Sequence, residues 1–192
     1  MCPATQTSGR YLGPRGRFSP RSGDNGAVSR PTPSPPGPGQ ESVWDYPRPP
    51  RMEPSPAEVE IHFAGTRIAR TNAAWRVLET SHPPSYYLPR EAFREGCLVP
   101  VVGSTWCEWK GWASYFDVVL GDRMARRAAW AYPSPTRGYA AIAGHVSVYP
   151  WAMDRCTVDG EPVRSQEGTF YGGWITDAIL GPFKGAPGTA GW

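Results

Sequence analysis

The run "STWCEWKGWASYFDVVLGD", residues 104–122, places Glu108 and Lys110 as single charges among Trp106, Trp109 and Trp112. It continues into Tyr115, Phe116, Val118, Val119 and Leu120. Aromatic and β-branched residues at this density fit a pleated strand. As one strand over 105–120, side chains alternate between two faces. Cys107, Trp109, Gly111, Ala113 and Tyr115 take one face; Trp106, Glu108, Lys110, Trp112, Ser114 and Phe116 take the other. Glu108 and Lys110 are then same-face neighbours about 7 Å apart along the strand. Such a couple is either a solvent-facing ion pair, worth at most about 1 kcal/mol, or an acid and a base on the floor of an aromatic-walled cleft. A bulge at Gly111 would turn Trp112 to the opposite face and leave the couple intact.

Outward from this run, the pattern stays β. Residues 123–132 predict a second strand joined at Gly121–Asp122, with Trp130 and Tyr132 sharing a face. Upstream, "EVEIHF" (58–63) alternates Val59, Ile61 and Phe63 against Glu58, Glu60 and His62, a half-buried strand that turns at "AGT" into 67–70. Residues 72–79, "NAAWRVLE", predict one or two helical turns capped by Asn72. "TSHPPSYYLPRE" (80–91) predicts a proline-stiffened loop holding His82 beside Tyr86 and Tyr87. Downstream, 137–144 predicts a short helix, and 145–151 a strand with His145, Ser147, Tyr149 and Trp151 on one face. Asp159–Gly160 predicts a tight hairpin within 156–164. The echo between "GTRIARTNAAW" (65–75) and "GDRMARRAAW" (121–130) is what two similar hairpins in one sheet would produce, and chance produces it as well.

Composition divides the chain. Thirteen of the 23 prolines fall in residues 1–56, and no tryptophan precedes Trp44. Residues 1–40 carry five arginines against Asp24, a net of +4, so the overall +3 belongs to this stretch. A segment so rich in Pro, Gly and Ser cannot bury enough apolar surface to offset its chain entropy. We therefore expect a disordered tail over 1–40, one domain over 41–185 and a flexible end over 186–192. The basic tail reads as a solubilising extension, the alternative being non-specific contact with nucleic acid or anionic lipid.

Cys2, Cys97, Cys107 and Cys156 include no C-x-x-C pair, which argues against structural zinc. No apolar run is long enough to span a membrane. Reduced thiols and a cytoplasmic location are the expectation. The signatures G-x-S-x-G, H-E-x-x-H, Walker A and G-x-G-x-x-G are all missing.

"ESVWDYPRPP", "LETSHPPSYYLPRE", "CEWKG", "AAWAYP", "VDGE" and "FYGGWIT", in this order, resemble the bacterial and fungal family of domain of unknown function 427. The resemblance covers about residues 41–185. It implies a β-tent fold: a mainly β, single, strongly bent antiparallel domain with one or two short helices and a cleft between sheets. It is similar in this to methionine sulfoxide reductase B, but the two C-x-x-C pairs that hold zinc in such relatives are absent here. The family is also labelled nucleotidyltransferase-like. Gly103–Ser104 and Asp117 match that pattern in part, while Val119 stands where a second carboxylate would hold metal.

Together these readings predict a small-molecule-binding cleft. His82, Glu108 and Lys110 are its reactive groups, and Tyr87, Trp109, Trp130, Tyr132, Tyr149 and Trp174 its ligand-binding walls. No cofactor, metal, membrane or specific nucleic-acid partner is expected. An enzyme using the same cleft for acid–base chemistry, and a protein-interaction module, are the alternatives.

Overall fold

The computed structural model describes residues 31–189 and 191–192; the disorder expected for 1–30 lies outside the described residues. Fifteen strands follow in order: β1 (Glu41–Ser42), β2 (Arg51–Ser55), β3 (Val59–Phe63), β4 (Thr66–Thr71), β5 (Ala74–Leu78), β6 (Ser85–Pro89), β7 (Leu98–Cys107), β8 (Gly111–Leu120), β9 (Arg123–Ala131), β10 (His145–Val148), β11 (Arg155–Val158), β12 (Glu161–Pro162), β13 (Arg164–Ser165), β14 (Trp174–Ile175) and β15 (Ile179–Leu180). Helix is limited, among the described residues, to three 3-10 segments: Arg90–Ala92, Arg137–Ile142 and Pro150–Ala152. The fold is mainly β, as expected.

A seven-stranded antiparallel sheet runs β2-β5-β6-β10-β9-β8-β7, and a four-stranded one runs β12-β11-β3-β4. β13 and β14 form a small antiparallel pair. β1 and β15 pair parallel, the exception to the antiparallel expectation. The alternation read in 58–63 is kept: Val59, Ile61 and Phe63 are buried while Glu60 and His62 are half-buried. Asp159 and Gly160 both take positive φ (49° and 80°), as a two-residue type I′ hairpin requires.

The large core cluster lies between the two main sheets. It joins Val59, Ile61, Ile68 and Cys156 of the smaller sheet to Tyr86, Leu88, Phe116, Val118, Val146 and Val148 of the larger. The opposite face of the larger sheet carries a second cluster of Val77, Tyr87, Ala113, Trp130, Tyr132, Tyr139 and Ile142. Period-2 alternation produces this division: Tyr86 and Leu88 face the core, and Tyr87 between them faces the other way.

Several expectations are corrected. Residues 105–120 are two strands. Cys107 pairs with Gly111, and Glu108, Trp109 and Lys110 form the turn between them. Gly111 closes that turn at φ 93°, a conformation that side chains rarely adopt. Residues 74–78 are strand, because β5 is bonded on both edges, to β2 and to β6. Ladder bonding and burial there outweigh the helical preference of alanine, leucine and glutamate. The two echoing hairpins sit in different sheets, β3–β4 in the smaller and β8–β9 in the larger.

Both ends of the described chain are tied to the domain. The Ser34 N–H donates to the Gly181 carbonyl, and the Gln40 amide donates to that of Asp177. Beyond Gly185, where flexibility was expected, Thr189 is buried and Trp192 packs edge-on against Trp44 at 5.7 Å.

Candidate functional site

A cleft of about 920 Å³ opens over the second cluster. Eight of the expected residues line it: His82, Tyr87, Glu108, Trp109, Lys110, Trp130, Tyr132 and Tyr149. Trp174 does not. It is fully buried in the core, its indole N–H donates to the Val148 carbonyl, and its ring lies 5.2 Å from that of Tyr86.

The turn after β7 separates the expected charge couple. Glu108 is exposed and Lys110 is buried at 8% exposure, and no salt bridge joins them. The Thr136 N–H donates to the Lys110 carbonyl and the Thr136 hydroxyl to the Trp109 carbonyl, so the turn is anchored to the segment after β9. Turned inward, the Lys110 ammonium lies 5.6 Å from the Tyr132 ring centre and 5.9 Å from that of Tyr139. The negative faces of both rings offset part of its lost hydration. Among the described residues no carboxylate reaches it.

His82 enters from the loop between β5 and β6. Ser81 before it takes φ 69°, with its N–H on the Val43 carbonyl and its own carbonyl accepting from the Lys184 N–H. Pro83 and Pro84 follow and stiffen the loop. Gln166, itself buried, fixes the imidazole. Its Oε1 accepts from the Gly173 N–H, which orients the amide so that Nε2 donates both to the Lys184 carbonyl and to His82 Nδ1 at 3.0 Å. Nδ1 is thus the bare nitrogen, and the ring proton sits on Nε2. The Tyr171 ring packs edge-on against the imidazole at 4.6 Å. Burial, then the charges of Lys184, Arg48 and Lys110, pushes the His82 pKa down to about 3. The group is a neutral hydrogen-bond donor at any physiological pH.

Aromatic residues make the rest. The Trp130 indole N–H donates to the Tyr87 hydroxyl at 3.0 Å, and Tyr149 lies 4.5 Å from Trp130, ring to ring. Burial raises the phenols of Tyr87 and Tyr132, and pushes Tyr149 up to about 12, so all three stay protonated. Gly172 presses on the indole so closely that a Cβ there would stand 2.2 Å from Trp130 Cη2. Trp106, Trp151 and Phe170, exposed at 59%, 47% and 76%, also line the cleft and form its outer part.

Sequence reasoning missed Arg48, Glu79, Gln166, Tyr171 and Lys184: Glu79 ends the segment read as helical turns, and the others lie in stretches that offered no site motif. One signal was available: Lys110 and Lys184 are the only lysines of the chain, and both line this cleft. Other candidates stand elsewhere. His145 Nδ1 meets the Ala143 carbonyl outside the cleft, and Ser147 is buried with its hydroxyl unpartnered. Asp117 accepts from the Arg127 N–H at 2.7 Å, at an irregularity between β8 and β9, instead of facing a ligand. Among the described residues no group of three or more His, Cys, Asp or Glu is arranged to hold a metal ion. Among the described residues no helix is long and apolar enough to cross a membrane.

A mainly β domain with an aromatic cleft faced by one largely buried lysine is the class so defined. The chain belongs to the family described as a domain of unknown function (DUF427), which matches residues 51–159. No curated protein matches the chain. Arg48, Gln166, Thr169, Phe170, Tyr171, Gly172 and Lys184 lie outside the matched span, so part of the cleft wall is supplied by flanking segments.

Proposed function

We propose that the domain binds a small polar or anionic organic molecule in the aromatic cleft. Lys110 carries the reading: a lysine whose side chain is largely buried while its ammonium, without a carboxylate partner among the described residues, faces a space of ligand size. An ammonium held among apolar ring faces attracts an anion more strongly than one in bulk water, and a ligand anion supplies the missing partner. Two further groups support it. The Nε2–H of His82 is a fixed donor without a protein acceptor among the described residues, and Tyr87, Trp130, Tyr132 and Tyr149 offer ring faces. Domain boundaries at about 41 and 185, a cytoplasmic location and the absence of a specific nucleic-acid partner belong to the same reading.

A second reading, catalysis in the same cleft, is favoured by the orientation of His82. An imidazole held neutral acts by donating a hydrogen bond to a developing negative charge, as in other active sites that hold histidine below its usual range. Glu108 would then be the mobile acid or base.

The test is a thermal-shift screen of the full chain against a library of acids, neutral isosteres and bases. Binding is expected to be concentrated among acids and abolished by Lys110→Met. A library without a single binder, or binders indifferent to Lys110, His82 and Trp130 substitutions, would sink the cleft as the site.

A further inference from the structure

Resting on that reading of the cleft, the geometry points to its ligand class: an aromatic monocarboxylate, with the carboxylate on Lys110 and the flat body against Trp130 and Tyr149.

The charge count comes first. Five cations line the cleft, and three are engaged. Arg48 pairs with Glu79 at 3.2 Å. Arg127 donates to the Val102 carbonyl and lies over the Tyr115 ring at 4.1 Å. Lys184 donates to the Trp192 carbonyl at 2.8 Å. Arg126 is exposed. Arg127 and Lys184 keep their charges, since a carbonyl does not neutralise a cation, but Lys110 alone combines a largely buried side chain with no bonded acceptor among the described residues, so it is the donor left for a ligand carboxylate. A polyphosphate asks for several donors together, usually backbone N–H groups at a helix N-terminus or nest. The three 3-10 segments contribute no lining residue except Trp151 at the mouth.

The body of the ligand follows from the walls. Trp109, Trp130, Tyr132 and Tyr149 enclose the interior, and the exposed rings of Trp106, Trp151 and Phe170 continue the aromatic surface outward. A flat ring system matches such walls by offset or edge-to-face stacking. The volume, about 920 Å³, is near the top of the range of about 300–1,000 Å³ usual for small-molecule sites, which suits a bicyclic or larger body. His82 Nε2–H adds a donor for a second acceptor on that body. The same chemistry is presented by a free aromatic acid and by the C-terminal carboxylate of a peptide ending in an aromatic residue.

Calorimetric titration of the full chain tests this with 2-naphthoate, 2-naphthamide, N-acetyltryptophan, its carboxamide, a tetrapeptide ending in tryptophan, and ATP. Each acid is expected to bind roughly tenfold or more tightly than its amide, a difference of about 1.4 kcal/mol. Lys110→Met should erase that ratio, and Lys110→Arg should keep part of it. A peptide that binds more tightly than N-acetyltryptophan assigns the carboxylate to a chain end; the reverse assigns it to a free acid. Amides that bind as tightly as acids, or ATP as the tightest ligand, overturn the inference while leaving a binding cleft in place. Failure of every aromatic acid also overturns it, and the broader reading falls only if the full library yields nothing.

Discussion

Gln166 and His82 lie 84 positions apart and meet through a 3.0 Å hydrogen bond in which the amide donates to Nδ1. The bond decides where the imidazole proton resides. Because the same amide nitrogen also donates to Lys184 and its oxygen accepts from Gly173, the glutamine cannot turn over without losing both.

Gln166→Leu should therefore release the tautomer. Long-range proton–nitrogen spectra of the wild-type chain are expected to show a bare Nδ1 and a protonated Nε2; the variant should show a mixture. Leaving the Gly173 N–H and the Lys184 carbonyl unpaired costs about 1–3 kcal/mol of stability each. An unchanged tautomer in a folded variant would remove Gln166 from its positioning role.

Acid sensitivity follows from the depressed His82 value. Below the ordinary histidine pKa of 6.5 the unfolded chain takes up a proton that folded His82 refuses until about pH 3. Stability is therefore fully present above pH 6.5 and falls as pH drops through that window, by up to about 1.4 kcal/mol per unit. Glu60, lowered by its bonds to His62 and Arg67, keeps its stabilising contribution above its ordinary 4.5 and loses it only as pH falls below that value. Urea unfolding between about pH 5 and 6.5 isolates the histidine, and His82→Gln should flatten the slope there.

Gly172→Ala forces a methyl group into the Trp130 indole. Overpacking of this kind costs about 1–3 kcal/mol. The expected result is lower stability together with a shifted tryptophan emission, since the indole or the segment around Gly172 must move. An unaltered emission spectrum would mean that the segment yields instead of the ring.

Lys110→Met should leave the domain about as stable as before, because the ammonium has no bonded partner to lose and the largely buried stem gives way to an apolar chain of similar length. Ligand binding should be lost in the same variant. A large loss of stability would reveal that the ammonium has a structural counterpart.

Trp174→Ala should do the reverse. Emptying a fully buried indole site costs about 3–5 kcal/mol, while the acid-over-amide preference persists in whatever protein remains folded. A change in that preference would bring Trp174 into the site after all.

How much of this the sequence disclosed depended on the range of the interaction. The period-2 alternation of 58–63 and the Asp159–Gly160 turn are local, and both were legible. The shared face of Trp130 and Tyr132 was legible too, since alternation alone predicts it. The turn at 108–110 was not, because Glu-Trp-Lys has no turn residue and its one cue, Gly111, also fits a bulge. The strand at 74–78 was hidden by helix-favouring residues whose conformation is dictated by β2 and β6 on either side. Trp174 looked like any other tryptophan, since core and cleft aromatics differ only in what surrounds them. Gln166 and Lys184 reach His82 from far along the chain, and no local pattern marks such partners.

The scarcity of lysine gives the cleft a chemical address. Amine-directed acylating reagents find only two side chains in this protein, at positions 110 and 184, and both front the same space. Mass-spectrometric labelling rates at these two residues thus report occupancy without any engineered probe: a bound molecule slows both, and an empty cleft leaves the half-buried Lys184 to react ahead of Lys110.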